Sequence, residues 1–137
     1  YLSSPAFAQS SAEKLIPQES HRLENFLIST KGRDDWTRLM LSILKSVSAV
    51  ESVLSEGVSV NIRGTEEFHG VTPLMFASRI GAQVIVKLLI EKGARLNDTD
   101  TLGKTALIQA AYKGHLDTVS FLLQHGANPN AETNQQW

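Results

Sequence analysis

Apolar residues recur along this chain at steps of three and four, the spacing of one buried helix face. The clearest runs are Val84, Ile85, Leu88 and Leu89, and then Leu116, Val119, Leu122 and Leu123. Each predicts an amphipathic helix with one buried stripe. A shorter segment precedes each run: Pro73–Ile80 with Leu74 and Ala77, and Ala106–Tyr112 with Leu107 and Ala110. Their small residues allow close stacking. The pattern thus predicts two helix pairs, Pro73–Ile80 with Val84–Glu91 and Ala106–Tyr112 with Leu116–Gln124. Upstream, Trp36, Leu39, Met40, Ile43 and Leu44 share a helix face that Asp34 or Asp35 is placed to cap. Farther still, Leu23, Phe26 and Leu27 line one side of a helix expected over Pro17–Thr30, with Gly32 beyond its end.

The two pairs are copies of one pattern. GVTPLMFASRIGAQVIVKLLIEKGARLN runs from Gly70 to Asn97, and GKTALIQAAYKGHLDTVSFLLQHGANPN from Gly103 to Asn130. Gly70 and Gly103, Gly81 and Gly114, Gly93 and Gly126, and Asn97 and Asn130 are each 33 apart. Thr72 and Pro73 suit a helix start, because threonine caps free amides and proline lacks the donor that would go unpaired. Gly81 and Gly114 break the chain between helices, where a positive φ is expected. A third, imperfect copy lies upstream: Gly57 to Asn61 parallels Gly93 to Asn97 at a spacing of 36, and Val50, Val53 and Leu54 match Val86, Leu89 and Ile90. The three extra residues fall in a loop, since Asn61 to Gly70 spans nine positions and Asn97 to Gly103 spans six.

A period of 33 with T-P-L and paired helices resembles the ankyrin repeat, and the resemblance covers about half of the chain. It implies an all-α fold, an ankyrin-repeat α-solenoid of helix–turn–helix units with β-turn fingers. The expected organisation is a flexible tail over 1–16, an N-terminal capping helix over 17–33, and a degenerate repeat with an extended finger loop over 34–66. Two full repeats at 67–99 and 100–132 follow, and 133–137 begins another, so the natural protein is expected to continue past Trp137. A single unit cannot bury its apolar face alone, so neighbours must stack. The helix over 17–33 is expected to cover the open end of the stack, with partner binding as the alternative. The histidine that the family carries after T-P-L is absent, with Met75 and Ile108 in its place; the turn bond associated with it must be lost or replaced. His115 stands where the family commonly carries a histidine for local hydrogen bonding.

Composition narrows the function. From Glu67 to Glu132 six acidic residues (Glu67, Glu91, Asp98, Asp100, Asp117, Glu132) balance six basic ones (Arg79, Lys87, Lys92, Arg95, Lys104, Lys113). That balance gives no basic footprint for nucleic acid. No apolar run is long enough to span a bilayer, so no membrane insertion is expected. No two of the four histidines stand at i, i+4, and Asp98-Thr99-Asp100 lacks the glycine and closing glutamate of a calcium loop, so no metal and no cofactor are expected. Phosphate-binding loops and G-x-S-x-G are missing from the sequence, which reads as non-catalytic. There is no cysteine, which suits an oxidising compartment. Ala6-Phe7-Ala8 has the small-x-small form that ends a signal peptide. It makes 1–16 a candidate signal-peptide remnant and favours a periplasmic or secreted setting, with the cytoplasm as the alternative.

The resemblance implies a protein partner held by finger tips and inner helices. The positions that vary there are Phe68, His69, Val71, Arg79, Ile80 and Thr99 in one copy, and Thr101, Leu102, Lys104, Tyr112, Lys113 and Glu132 in the next. Aromatic residues and arginine dominate interface hot spots, which favours Phe68, Tyr112 and Arg79 as anchors along one groove. Phe68 stands in the longer finger and outside the repeated core pattern, so its ring is expected either under the next finger or against a partner. Ile80, Val71 and Leu102 have packing between repeats as their other use. The expected function is a non-catalytic protein-binding module; the alternative is a regulatory or targeting domain of a longer enzyme or effector.

Overall fold

The computed structural model describes residues 34–133. The expected leader remnant, the flexible tail over 1–16 and the helix over 17–33 lie outside the described residues, as do residues 134–137. Among the described residues there is no strand, and six α-helices form three pairs. These are α1 (Asp35–Lys45) with α2 (Val47–Ser55), α3 (Pro73–Ile80) with α4 (Gln83–Glu91), and α5 (Ala106–Tyr112) with α6 (Leu116–Gln124). A 3₁₀ turn, Glu66–Phe68, stands between the first two pairs. Helices α1, α3 and α5 pack side by side as one layer, and α2, α4 and α6 as a second. This is an ankyrin-type all-α solenoid.

Local chemistry places each boundary. Asp34 rather than Asp35 caps α1, accepting the Thr37 N–H at 2.8 Å. Thr72 and Thr105 cap the two copies of the inner helix through the amides of Met75 and Ile108, at 3.3 and 3.2 Å. Gly81 and Gly114 adopt φ of 72° and 78° between the paired helices, a region that L side chains pay to enter. The first pair turns without a glycine. There Ser46, in extended backbone, closes α1 by donating its N–H to the Ser42 carbonyl and opens α2 by accepting the Ala49 N–H on Oγ. The degenerate unit dispenses with its mid-repeat glycine because one serine serves both helix ends.

Trp36, Leu39, Met40, Ile43 and Leu44 from α1 are buried, as the sequence predicts. Leu74, Met75, Ala77 and Ile80 from α3, and Ile85, Val86, Leu88 and Leu89 from α4, continue the same core through Ala106, Leu107, Ala110 and Leu122. The outer-helix stripe needs correction. Val84, Leu116 and Leu123 are exposed, Leu116 by 75 %, while Thr118 is buried beside Leu122. The reason is register: 33 residues separate Gln83 from Leu116, Val84 from Asp117, and Ile85 from Thr118. The arc facing the inner layer is set by the stack and begins at Ile85 and Thr118, whichever side chains precede them.

Candidate protein-binding surface

The fingers are tied to one another through backbone groups. Asn61 accepts the Arg95 N–H on Oδ1 at 2.8 Å and donates from Nδ2 to the Gly93 carbonyl at 3.2 Å. One repeat on, Asn97 accepts the Asn128 N–H at 2.7 Å. These asparagines satisfy amides that no helix or ladder would otherwise serve. Arg63, from the longer finger, donates to the carbonyls of Thr99 at 2.6 Å and Gly70 at 3.3 Å, and its other guanidinium nitrogen lies 3.4 Å from the Asp98 carboxylate. Thr101 donates its N–H to the His69 carbonyl at 2.8 Å, with its hydroxyl 3.5 Å from His69 Nδ1. His69 is in the left-handed region, with φ of 54°.

The turn at Asp98 to Gly103 is built around a buried carboxylate. Asp100 accepts the N–H groups of Leu102 and Lys104, both at 2.9 Å, and the Gln109 side-chain amide at 3.3 Å. Its backbone closes the turn with Lys104 and Gly103. Asp100 and Gln109 thus replace, in this repeat, the turn bond expected of the missing histidine. The segment is a β-turn, and among the described residues no group of acidic or histidine side chains is arranged to hold a metal ion.

The longer finger is packed rather than splayed. Phe68 stacks on Trp36 with ring centroids 4.3 Å apart, and the Trp36 indole donates to the Val71 carbonyl at 2.7 Å. Gly64 fits against the Trp36 ring and the base of the Phe68 side chain: a Cβ there would stand 2.8 Å from Trp36 Cε2 and 2.9 Å from Phe68 Cβ. Phe68 and Val71 are half-buried against the core. Trp36, counted in the sequence as core alone, is also the platform of this loop. Neither that role nor the bridging by Arg63 has a sequence signal; the asparagine ties do, in the repeated Asn at each finger.

At the opposite end of each pair, His115 reaches back one repeat and donates from Nε2 to the Arg79 carbonyl at 2.9 Å. Its ring lies on Gly81. The local bonding expected of this histidine therefore joins two repeats. Ile80, Gly81, Gln83, Gly114, His115 and Leu116 contribute to a shallow depression of about 350 Å³ there. His125 donates from Nδ1 to the Phe121 carbonyl at 2.9 Å, and its ring stacks on that of Phe121.

Of the twelve residues expected to meet a partner, His69, Arg79, Thr99, Thr101, Tyr112, Lys113 and Glu132 are exposed. Phe68, Val71, Leu102 and Lys104 are half-buried. Ile80 is only 4 % exposed and belongs to the core between repeats. Tyr112, in the last turn of α5, is 64 % exposed. The ammonium groups of Lys104 and Lys113 lie 5.6 and 5.8 Å from the centre of its ring. Arg79 occupies the matching position on α3, which packs against α5. On α1, a hydrogen bond to Glu56 and its negative charge, and then those of Asp35, push the Arg38 guanidinium above its ordinary value.

A family model of ankyrin repeats matches residues 39–133 in three copies. An ankyrin repeat protein of fowlpox virus (strain NVSL) is 37 % identical over 107 residues, covering 76 % of this chain and 31 % of the viral protein. Rat ankyrin repeat and SAM domain-containing protein 6 is 47 % identical over 60 residues, which are 43 % of this chain and 7 % of that protein. The mouse B-cell lymphoma 3 protein homolog is 38 % identical over 84 residues, 61 % of this chain and 18 % of its own. The chain thus spans less than a third of the length of these relatives. With three stacked helix pairs, fingers tied by asparagine, and a family model matched over more than half of its length, the chain belongs to the ankyrin-repeat family.

Proposed function

We propose that the chain is a non-catalytic module that binds another protein through its finger tips and inner helices. Ankyrin repeats are generally protein-interaction modules. The observation that carries the reading here is Tyr112. A large aromatic ring that stands out from an inner helix adds nothing to the repeated core, whereas tyrosine in contact with a partner is a frequent hot spot. His69, Thr101, Lys104 and Lys113 surround or continue that surface. Arg79, Thr99 and Glu132 extend it along the solenoid, and the half-buried Phe68, Val71 and Leu102 form its supporting edge. Ile80 supports it from within. No catalytic group or cofactor enters this reading.

A second reading, a regulatory or targeting domain of a longer enzyme or effector, is favoured by the small share of each relative that the chain spans. The same surface would serve it. A setting outside the cytoplasm rests on Ala6-Phe7-Ala8 alone.

Photo-crosslinking tests the surface directly. A photoreactive phenylalanine analogue is placed at Tyr112, or at Leu116 on the outer layer, and both proteins are irradiated in extract of the native source. A discrete crosslinked protein from position 112 and none from 116 is the expected result. Equal yields from both positions, or capture from 116 alone, would reject the inner face as the binding surface.

A further inference from the structure

We infer that the centre of this surface selects a short acidic segment of its protein partner, one bearing carboxylates. The inference rests on the binding surface proposed above and adds the chemistry of what it takes.

Charge placement carries it. The repeats as a whole are neutral, so a local excess of one sign must come from the fold. Lys104 arrives from the finger and Lys113 from the end of α5, and both ammonium groups converge on the Tyr112 ring. An exposed ring attracts a cation by its negative face, which gathers both charges around one side chain with no anion of the chain paired to either. Arg79 adds a third cation from the adjacent inner helix. Among the described residues none of these three meets a carboxylate. By contrast, Arg38 pairs with Asp35 and Glu56, and Arg63 and Arg95 share Asp98. Those three arginines are neutralised within the chain, whereas Lys104, Lys113 and Arg79 are left for another molecule.

The margins limit the length of that molecule's acidic run. Glu66 and Glu67 are exposed on the preceding finger, and Glu132 on the following one. A long polyacid would run onto these carboxylates. A short run with neutral or basic ends would place its charges over Lys104 and Lys113 and its flanks beside the glutamates. Positive against negative in this way fixes register and rejects wrong partners as much as it adds affinity.

The test uses the full chain, isotopically labelled, titrated with three synthetic peptides and followed by backbone amide shifts. One peptide carries a short run of Asp and Glu between Gly-Ser ends, the second has Asn and Gln in their place, and the third Lys. The acidic peptide is expected to shift the amides of Arg79, Lys104, Tyr112 and Lys113 saturably, and more weakly as salt is raised. Lys104→Gln and Lys113→Gln should each weaken it about two- to fivefold, the size of an exposed charge pair. Both lysines hydrogen-bond within the fold through their backbones alone, Lys104 in the Asp100 turn and Lys113 at the end of α5, so the substitutions should leave the fold in place. Equal binding of the amide peptide at these residues would reject acid selectivity while leaving the protein-binding surface standing. Saturation on α4 or α6 instead would reject both. Failure of the acidic peptide to shift any residue saturably would overturn the inference, with the crosslinking result deciding the surface separately.

Discussion

Gly81→Ala is the substitution that examines the repeat stack most sharply, because one side chain of the next repeat rests on it. Its φ of 72° would cost alanine about 1–2 kcal/mol. The added Cβ would also stand 2.6 Å from His115 Nδ1 and 2.7 Å from its Cε1, well inside contact distance. The ring must swing away, and its bond to the Arg79 carbonyl goes with it, a further loss of about 0.5–1.5 kcal/mol. The expected total is about 1.5–3.5 kcal/mol, the sum of these two ranges. Two controls separate the terms. Gly114 has φ of 78° but nothing within 4 Å of its would-be Cβ, so Gly114→Ala should cost only the backbone term. In a His115→Ala background, Gly81→Ala should cost only that term too, giving a coupling of about 1 kcal/mol in the double-mutant cycle. Urea unfolding followed by circular dichroism measures all four, provided the slope of free energy against denaturant stays constant. If Gly81→Ala costs the same with and without His115, the ring does not couple the repeats and the reasoning fails.

Leu122 and Leu116 belong to one apolar run in the sequence but not in space. Leu122→Ala, at a fully buried position, should cost about 2–5 kcal/mol, whereas Leu116→Ser should stay within about 0.5 kcal/mol of the parent. Comparable losses in thermal or urea unfolding would mean that α6 is rotated from the orientation described. Asn97→Ala removes the acceptor of the Asn128 amide and should cost about 0.5–1.5 kcal/mol, at the low end because water can reach that finger. Asn97→Asp keeps an acceptor oxygen and should restore most of the loss; amide exchange at Asn128, fast in the alanine variant and slow in the aspartate one, checks it.

Periodicity and punctuation suffice for the helices. The glycine spacing and the Thr-Pro start locate α3, α5 and α6 to the residue, and α4 to within one residue of its start, because glycine at positive φ and threonine at an N-cap are requirements of single backbone positions. Such local demands are written in adjacent residues and can be read there. The orientation of each helix about its axis cannot, since it depends on which arc meets the neighbouring layer; Leu116 and Leu123 look like Leu122 until the stack excludes them. The only trace in the sequence is that Leu116 falls at the position held by the polar Gln83 in the other copy. The loop over Ile62 to His69 is three residues longer than its counterpart, so the repeat register does not place it. Only the folded chain brings Phe68 onto Trp36, 32 positions away, and Arg63 onto the carbonyl of Thr99. The same holds for the surface. Tyr112 and its two lysines are legible as candidate surface positions, but that both ammonium groups reach one ring while Arg63 finds Asp98 is settled by distances in space, which no stretch of sequence contains.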